Sequence, residues 1–155
     1  MIRFFKKPDT LENVDLLQMC VDKIKENKNV KIYLGTDSKS SNKKTRYITS
    51  VVFRGDTRGC SFIFKEVLLP KEKDLFKRLF HECELSLEIA DYLKKNSSIH
   101  VDAIELDYNS FKKTRSTNLI AATKGWVESK GYVAVVKPQK MYAVKSSDHL
   151  LKLKK

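Results

Sequence analysis

Forty residues, 30 to 69, restrict the fold more than any other part of the chain. Three segments rich in β-branched and aromatic residues follow one another there. They are the run ending in "VKIYLGTDSK" (30–39), "TRYITSVVFR" (45–54) and "CSFIFKEVLL" (60–69). Polar, turn-forming stretches divide them: "SKSSNKKTR" (38–46) and "RGDTRG" (54–59). Connections this short join neighbouring strands in antiparallel order, so the three predict a meander. Residues 30–36 carry almost no polar alternation and read as a strand buried on both faces. The apolar run then stops abruptly at Gly35-Thr36-Asp37-Ser38, which sets a carboxylate where a buried strand reaches the surface.

The flanks read as helices and further strands. Pro8-Asp9-Thr10 opens a helix over about 9–28, with Asp9 as its cap, Glu12 completing a capping-box pattern, and Val14, Leu17, Val21 and Ile24 at helical spacing. Pro70 leads into a long helix over 71–95. "SIHVDAIEL" (98–106) predicts a fourth strand, 114–130 a helix ended by Gly131, "YVAVVK" (132–137) a fifth strand, and the stretch from Lys140 a last helix. The order is α-βββ-α-β-α-β-α. A meander followed by βαβ crossovers implies an α/β fold, a mixed five-stranded sheet with helices on both faces. At 155 residues the chain reads as one domain, with the N-terminal helix before a core over 30–153 and no need of disulfides to stabilise it. Cys20, Cys60 and Cys83 are odd in number, form no CxxC pair and sit among apolar neighbours, so reduced core thiols are expected. With neither a cleavable leader pattern nor an apolar window of spanning length, the expectation is a soluble cytoplasmic protein with no membrane partner.

The formal net charge of +12 points to a polyanionic partner, nucleic acid first, with a lysine-rich soluble surface as the plain alternative. The basic residues recur beside isolated acids. Lys39, Lys43, Lys44 and Arg46 follow Asp37; Lys112, Lys113 and Arg115 follow Asp107; Lys137, Lys145 and other lysines of the C-terminal stretch surround Asp148. Tyr33, Tyr47 and Tyr142 are stacking candidates, with core packing the commoner fate.

Acids on apolar faces are the informative ones. In the long helix Leu75, Phe76, Leu79, Cys83, Leu87 and Ala90 mark the buried side, and Glu82 lies at its edge. In the fourth strand Asp102 and His100 share a face with Ile104 and Leu106, and Asp107 at the strand end is the fallback. In the last helix Asp148 falls within the stripe of Met141, Val144 and Leu151, beside His149. Each alone has an ordinary explanation: a snorkelling Glu paired with a Lys, an exposed sheet edge, a surface His. Taken together they name one acid for each of four elements. Converging carboxylates stay ionised together only beside cations, and oxygen-preferring Mg²⁺ or Mn²⁺ would serve.

This order of elements and acids resembles the ribonuclease H-like superfamily and, within it, the YkuK-like branch of predicted nucleases. The residues that carry the resemblance are "YLGTDSK" (33–39), "HECELSLEIA" (81–90), "IHVD" (99–102) and "KPQKMYAVKSSDHLLK" (137–152). It spans about residues 30–152. It implies a nuclease in which Asp37 bridges two Mg²⁺ or Mn²⁺ ions, Glu82 and Asp102 complete the site, and Asp148 holds the second ion. His100 matches a position that the branch often fills with His. Two ions straddling a scissile phosphate would activate water and stabilise the leaving oxygen, while the basic segments grip the nucleic-acid backbone. A non-catalytic nucleic-acid-binding module and a basic interaction or inhibitor protein are the rivals.

Overall fold

The computed structural model describes residues 2–56, 59–106, 113–136 and 139–153, and only the backbone over 113–117. Seven strands form one mixed sheet: β1 (Phe4–Lys6), β2 (Asn13–Asp15), β3 (Lys31–Ser40), β4 (Lys44–Arg54), β5 (Cys60–Pro70), β6 (Ala103–Leu106) and β7 (Ala134–Val136). Their spatial order is β2-β1-β5-β4-β3-β6-β7. The expected meander is there, with β3 antiparallel to β4 and β4 to β5, and β6 and β7 add to it in parallel. The described residues also form four helices: α1 (Leu16–Glu26), α2 (Leu75–Asn96), α3 (Lys113–Ser129) and α4 (Ala143–Leu153).

The alternation of side chains along β3 assigns the layers. Ile32 and Leu34 enter a core with Leu16 and Cys20 of α1, Leu79, Cys83 and Leu87 of α2, and Leu119 and Val127 of α3. The odd-numbered residues of β3 meet α4, which packs Leu150 and Leu151 on Ile48 and Phe64. Three helices thus cover one face and α4 the other.

The sheet has two strands more than the five expected, because Asn13–Asp15, read as part of the first helix, form β2 and pair with β1 over Phe4–Lys6, ahead of that helix. Asp9 accepts a bond from Thr10 N–H within the connecting turn, where Leu11 adopts φ 61°. The helix cap is Asp15, whose carboxylate accepts from Gln18 N–H. Local capping chemistry occurs twice in this stretch, and Phe5, 1 % exposed, ties the hairpin to the core. At the long helix, β5 runs through Pro70 and α2 is capped by Asp74, which accepts from the N–H groups of Phe76 and Lys77. The fourth predicted strand shortens too. Asp102 ends the ladder with its side chain, its carboxylate accepting Ile32 N–H at 2.8 Å while Asp102 N–H donates to Ile32 carbonyl. Gly131 ends α3 at φ +90°, as expected of a C-cap glycine. Cys20 and Cys83 are buried, and desolvation pushes both thiols up to about 12, whereas Cys60 is exposed and not in the core. Among the described residues no helix is long and apolar enough to cross a membrane.

Candidate active site

Asp37 sits two residues beyond Gly35 on β3, on the face that meets α4. It is half-buried, and its carboxylate accepts the N–H of Ser38 at 2.9 Å. How α4 lies on this strand decides what Asp37 can meet. Gly35 permits the approach: a Cβ there would come within 2.7 Å of Val144 N and 2.8 Å of its Cγ2. Ser147 donates to Gly35 carbonyl at 3.3 Å and shares a 2.8 Å hydroxyl bond with Ser50 of β4.

The third part of this clamp is Glu105, opposite Gly35 on the parallel strand β6. Its carboxylate accepts the N–H groups of Tyr142 at 2.8 Å and Val144 at 2.9 Å, satisfying amides at the start of α4. Glu105 is 2 % exposed. Burial raises its pKa, against the pull of the Val144, Tyr142 and Ala143 amides and the Lys145 charge. Glu105 was not among the acids that periodicity singled out. Its signal was an acid inside an apolar strand, the criterion applied to Asp102 three residues earlier.

The clamp orients Asp148, the residue after Ser147. Asp148 is half-buried and accepts from Lys152 at 2.9 Å. The bond to Asp148, with the field of Asp37 adding to it, holds the Lys152 ammonium above the ordinary lysine range. The face carries further positive charge, because Lys39 and its cross-strand neighbour Arg46 follow Asp37 by two positions. Arg46 is ion-paired to Glu66, while Lys39, Lys43, Lys44 and Lys145 are exposed.

Glu82 lies on the other face. It is 4 % exposed and accepts a bond from the hydroxyl of Ser38, whose side chain points toward α2. A buried polar tract extends from there, with Thr36 bonding both Ser86 and Thr49 at 2.8 Å. Asp37 and Glu82 thus flank β3 from opposite sides.

Asp102 is placed apart from both. It stands beside Ile32, is paired with Lys31 at 3.8 Å, and lies five residues back along β3 from Asp37, roughly 16 Å at the rise of a strand. Neither it nor His100 belongs to β6, so the face assigned to them with Ile104 and Leu106 does not form. His100 is exposed and stacks on Tyr132 at 5.1 Å. His149 is exposed beside Asp148. Asp107, Lys112 and Lys137 lie outside the described residues, as do the side chains of Lys113 and Arg115. Of the stacking candidates, Tyr47 is core, at 2 % exposed, while Tyr33 and Tyr142 stack on each other at 5.2 Å under Arg54.

The donor set on the α4 face fits a hard divalent cation in kind. Mg²⁺ is commonly held by one or two carboxylates, with water and substrate phosphate completing its shell. Asp37 and Asp148 are carboxylates of that kind, and Asp148 already holds the ammonium of Lys152. Among the described residues no three His, Cys, Asp or Glu side chains gather into a metal-holding group. A four-carboxylate cage is therefore not assembled by Asp37, Glu82, Asp102 and Asp148.

No curated protein matches the sequence. Among solved structures, the chain is similar to Ciona intestinalis endonuclease V in complex with a 24mer DNA containing an inosine followed by a ribo-adenosine. The two are 16% identical, with a TM-score of 0.40, over 81% of this chain and 56% of that one. The chain thus spans little more than half the length of that structure. A family description, Ribonuclease H-like, matches residues 15–152, from the cap of α1 to the end of α4. On that match, and with a meander extended by parallel β6 and β7 between layers of helices, the chain belongs to the Ribonuclease H-like family.

Proposed function

We propose that the chain is a nuclease that hydrolyses phosphodiester bonds in nucleic acid with the help of Mg²⁺ or Mn²⁺. The observation that carries this reading is the pair of carboxylates on the α4 face. Asp37 of β3 lies on the face that α4 covers, where Asp148 is bonded to Lys152 at 2.9 Å and Lys39 stands opposite Arg46. When bound, a divalent ion would supply a lowered water pKa and charge stabilisation at the phosphate. Asp37 and Asp148 would hold it. Lys39, Lys43, Lys44 and Lys145 would hold the nucleic-acid backbone by charge, largely without regard to sequence. Glu105, Gly35 and Ser147 act as positioning residues, since they set where α4 lies on β3. The two-ion arrangement needs a further carboxylate, for which Asp107 is the candidate.

The proposal is tested by assaying wild type and Asp37→Asn on single-stranded RNA, single- and double-stranded DNA, an RNA–DNA hybrid and a four-way junction, with Mg²⁺ and with Mn²⁺. Cleavage by wild type alone is expected. Equal cleavage by both proteins would remove Asp37 from the chemistry. The second reading is a non-catalytic nucleic-acid-binding module. It draws support from the internal bonds that already engage Glu82, Asp102 and Asp148. It predicts salt-dependent binding without cleavage by either protein.

A further inference from the structure

The nuclease reading leaves unused a hollow of about 540 Å³ between the far end of the β4–β5 pair and helices α2 and α3. Its volume falls in the range of small-molecule sites. Four rings line it. Phe80 is 38% exposed and Trp126 half-buried, their centroids 6.2 Å apart at 41°. Tyr47 lies beneath, edge-on to His81 at 4.8 Å. His81 is held in turn by Glu84 at 2.9 Å, so the wall is fixed before anything enters.

The rim has an unusual charge for this chain. Two carboxylates, Glu72 and Glu84, face it against one lysine, Lys77. On a chain of formal charge +12 a phosphate has many better places to bind. Carboxylates repel it and accept from N–H groups. The matching ligand is planar, apolar on its faces and N–H-bearing at its edge, which describes a nucleobase with an exocyclic amine. The hollow lies on the α2 side of the sheet, across β3 from Asp37 and Asp148. Tyr47 lies opposite Ser38 across β3 and β4, and Ser38 donates to Glu82.

We propose that this hollow receives one unstacked, amino-bearing base of a single-stranded nucleic acid, its ring against Phe80 and Trp126 and its amine toward Glu72 and Glu84. The assignment builds on the nucleic-acid reading above and is tested separately from it. Trp126 is the chain's one tryptophan, so its fluorescence reports on this hollow alone. Asp37→Asn protein would be titrated with short strands of deoxycytidine, of deoxythymidine and of abasic sugar-phosphate. The expected result is a change in Trp126 fluorescence with the cytidine strand, which also binds at least about tenfold more tightly than the abasic one, as one lost base stack implies. Phe80→Ala should remove most of that advantage, and Glu84→Gln the preference for cytidine over thymidine. Equal binding of all three strands with silent Trp126 would overturn the proposal and leave the nuclease reading standing. No binding of any strand would overturn both. Binding with a Trp126 response, in a protein whose wild type never cleaves, would support the hollow and remove the nuclease.

Discussion

The two faces of β3 use acids in opposite ways. Toward α2, Glu82 is 4 % exposed and bonded to the Ser38 hydroxyl, next to a tract in which Thr36, Ser86 and Thr49 satisfy one another. Toward α4, Asp37 and Asp148 are half-buried, and Asp148 is bonded to a lysine that reaches water. A buried acid with fixed partners is costly to disturb, because the groups left behind lose bonds that they cannot replace. A half-exposed acid can exchange a lysine for another cation at little cost. On adjacent residues of one strand, then, the α2 face holds structure and the α4 face leaves room for chemistry.

The largest test of this contrast is a pair of substitutions. Asp148→Ala should lose at least the roughly 100-fold in cleavage that removing even a supporting partner of a metal ligand costs. Its folding stability should change by under about 1 kcal/mol, since the Asp148–Lys152 pair is exposed. Glu82→Ala should cost about 1–3 kcal/mol through the unpaired Ser38 hydroxyl. Urea denaturation of both variants beside the activity assay checks this, and equal stability losses would break the contrast.

The next effect concerns the fit of α4. Gly35→Ala would drive a methyl group into the Val144 backbone, and should cost about 1–3 kcal/mol as other overpacked sites do. Activity should fall further than stability, because Asp148 moves with the helix while Asp37 stays on β3. Circular dichroism melts run alongside cleavage would show whether the two losses separate.

The smallest effect is a slope with pH. Burial raises Glu105 above its ordinary 4.5, so the folded chain keeps this proton where the unfolded chain has lost it. Its contribution to stability is full below about 4.5 and is lost as pH rises through the folded value. Glu105→Gln cannot titrate. Wild-type stability relative to this variant should therefore decline as pH rises above 4.5, measured by denaturation at each pH. A rising difference would mean that the helix amides outweigh burial.

Part of this arrangement was legible from residues alone. The three strand-like runs, their short connections and the helices after them specify the meander and the crossovers. Propensity and turn chemistry are local, and here they agree with the final packing. The same local cues failed at residues 9 to 15, where two capping signals compete and the hairpin is chosen by the burial of Phe5. They failed again at Asp102, where a side chain took the place of a backbone partner in the ladder.

Asp37, Glu82 and Asp148 each stood out as acids on or beside apolar stripes, and periodicity was enough to find them. Which of them share a face was not in the periodicity. Strand alternation puts Glu82's partner Ser38 and Asp37 on opposite sides, and only the docking of α4 through Gly35, Ser147 and Glu105 brings Asp148 to Asp37's side. The elements from β3 onward, their order and the family were in the sequence, because those follow from patterns within one segment or its neighbours. Which acids share a face came only with packing, because that depends on contacts between residues 35, 105 and 147, far apart in the chain and adjacent only once the sheet has formed.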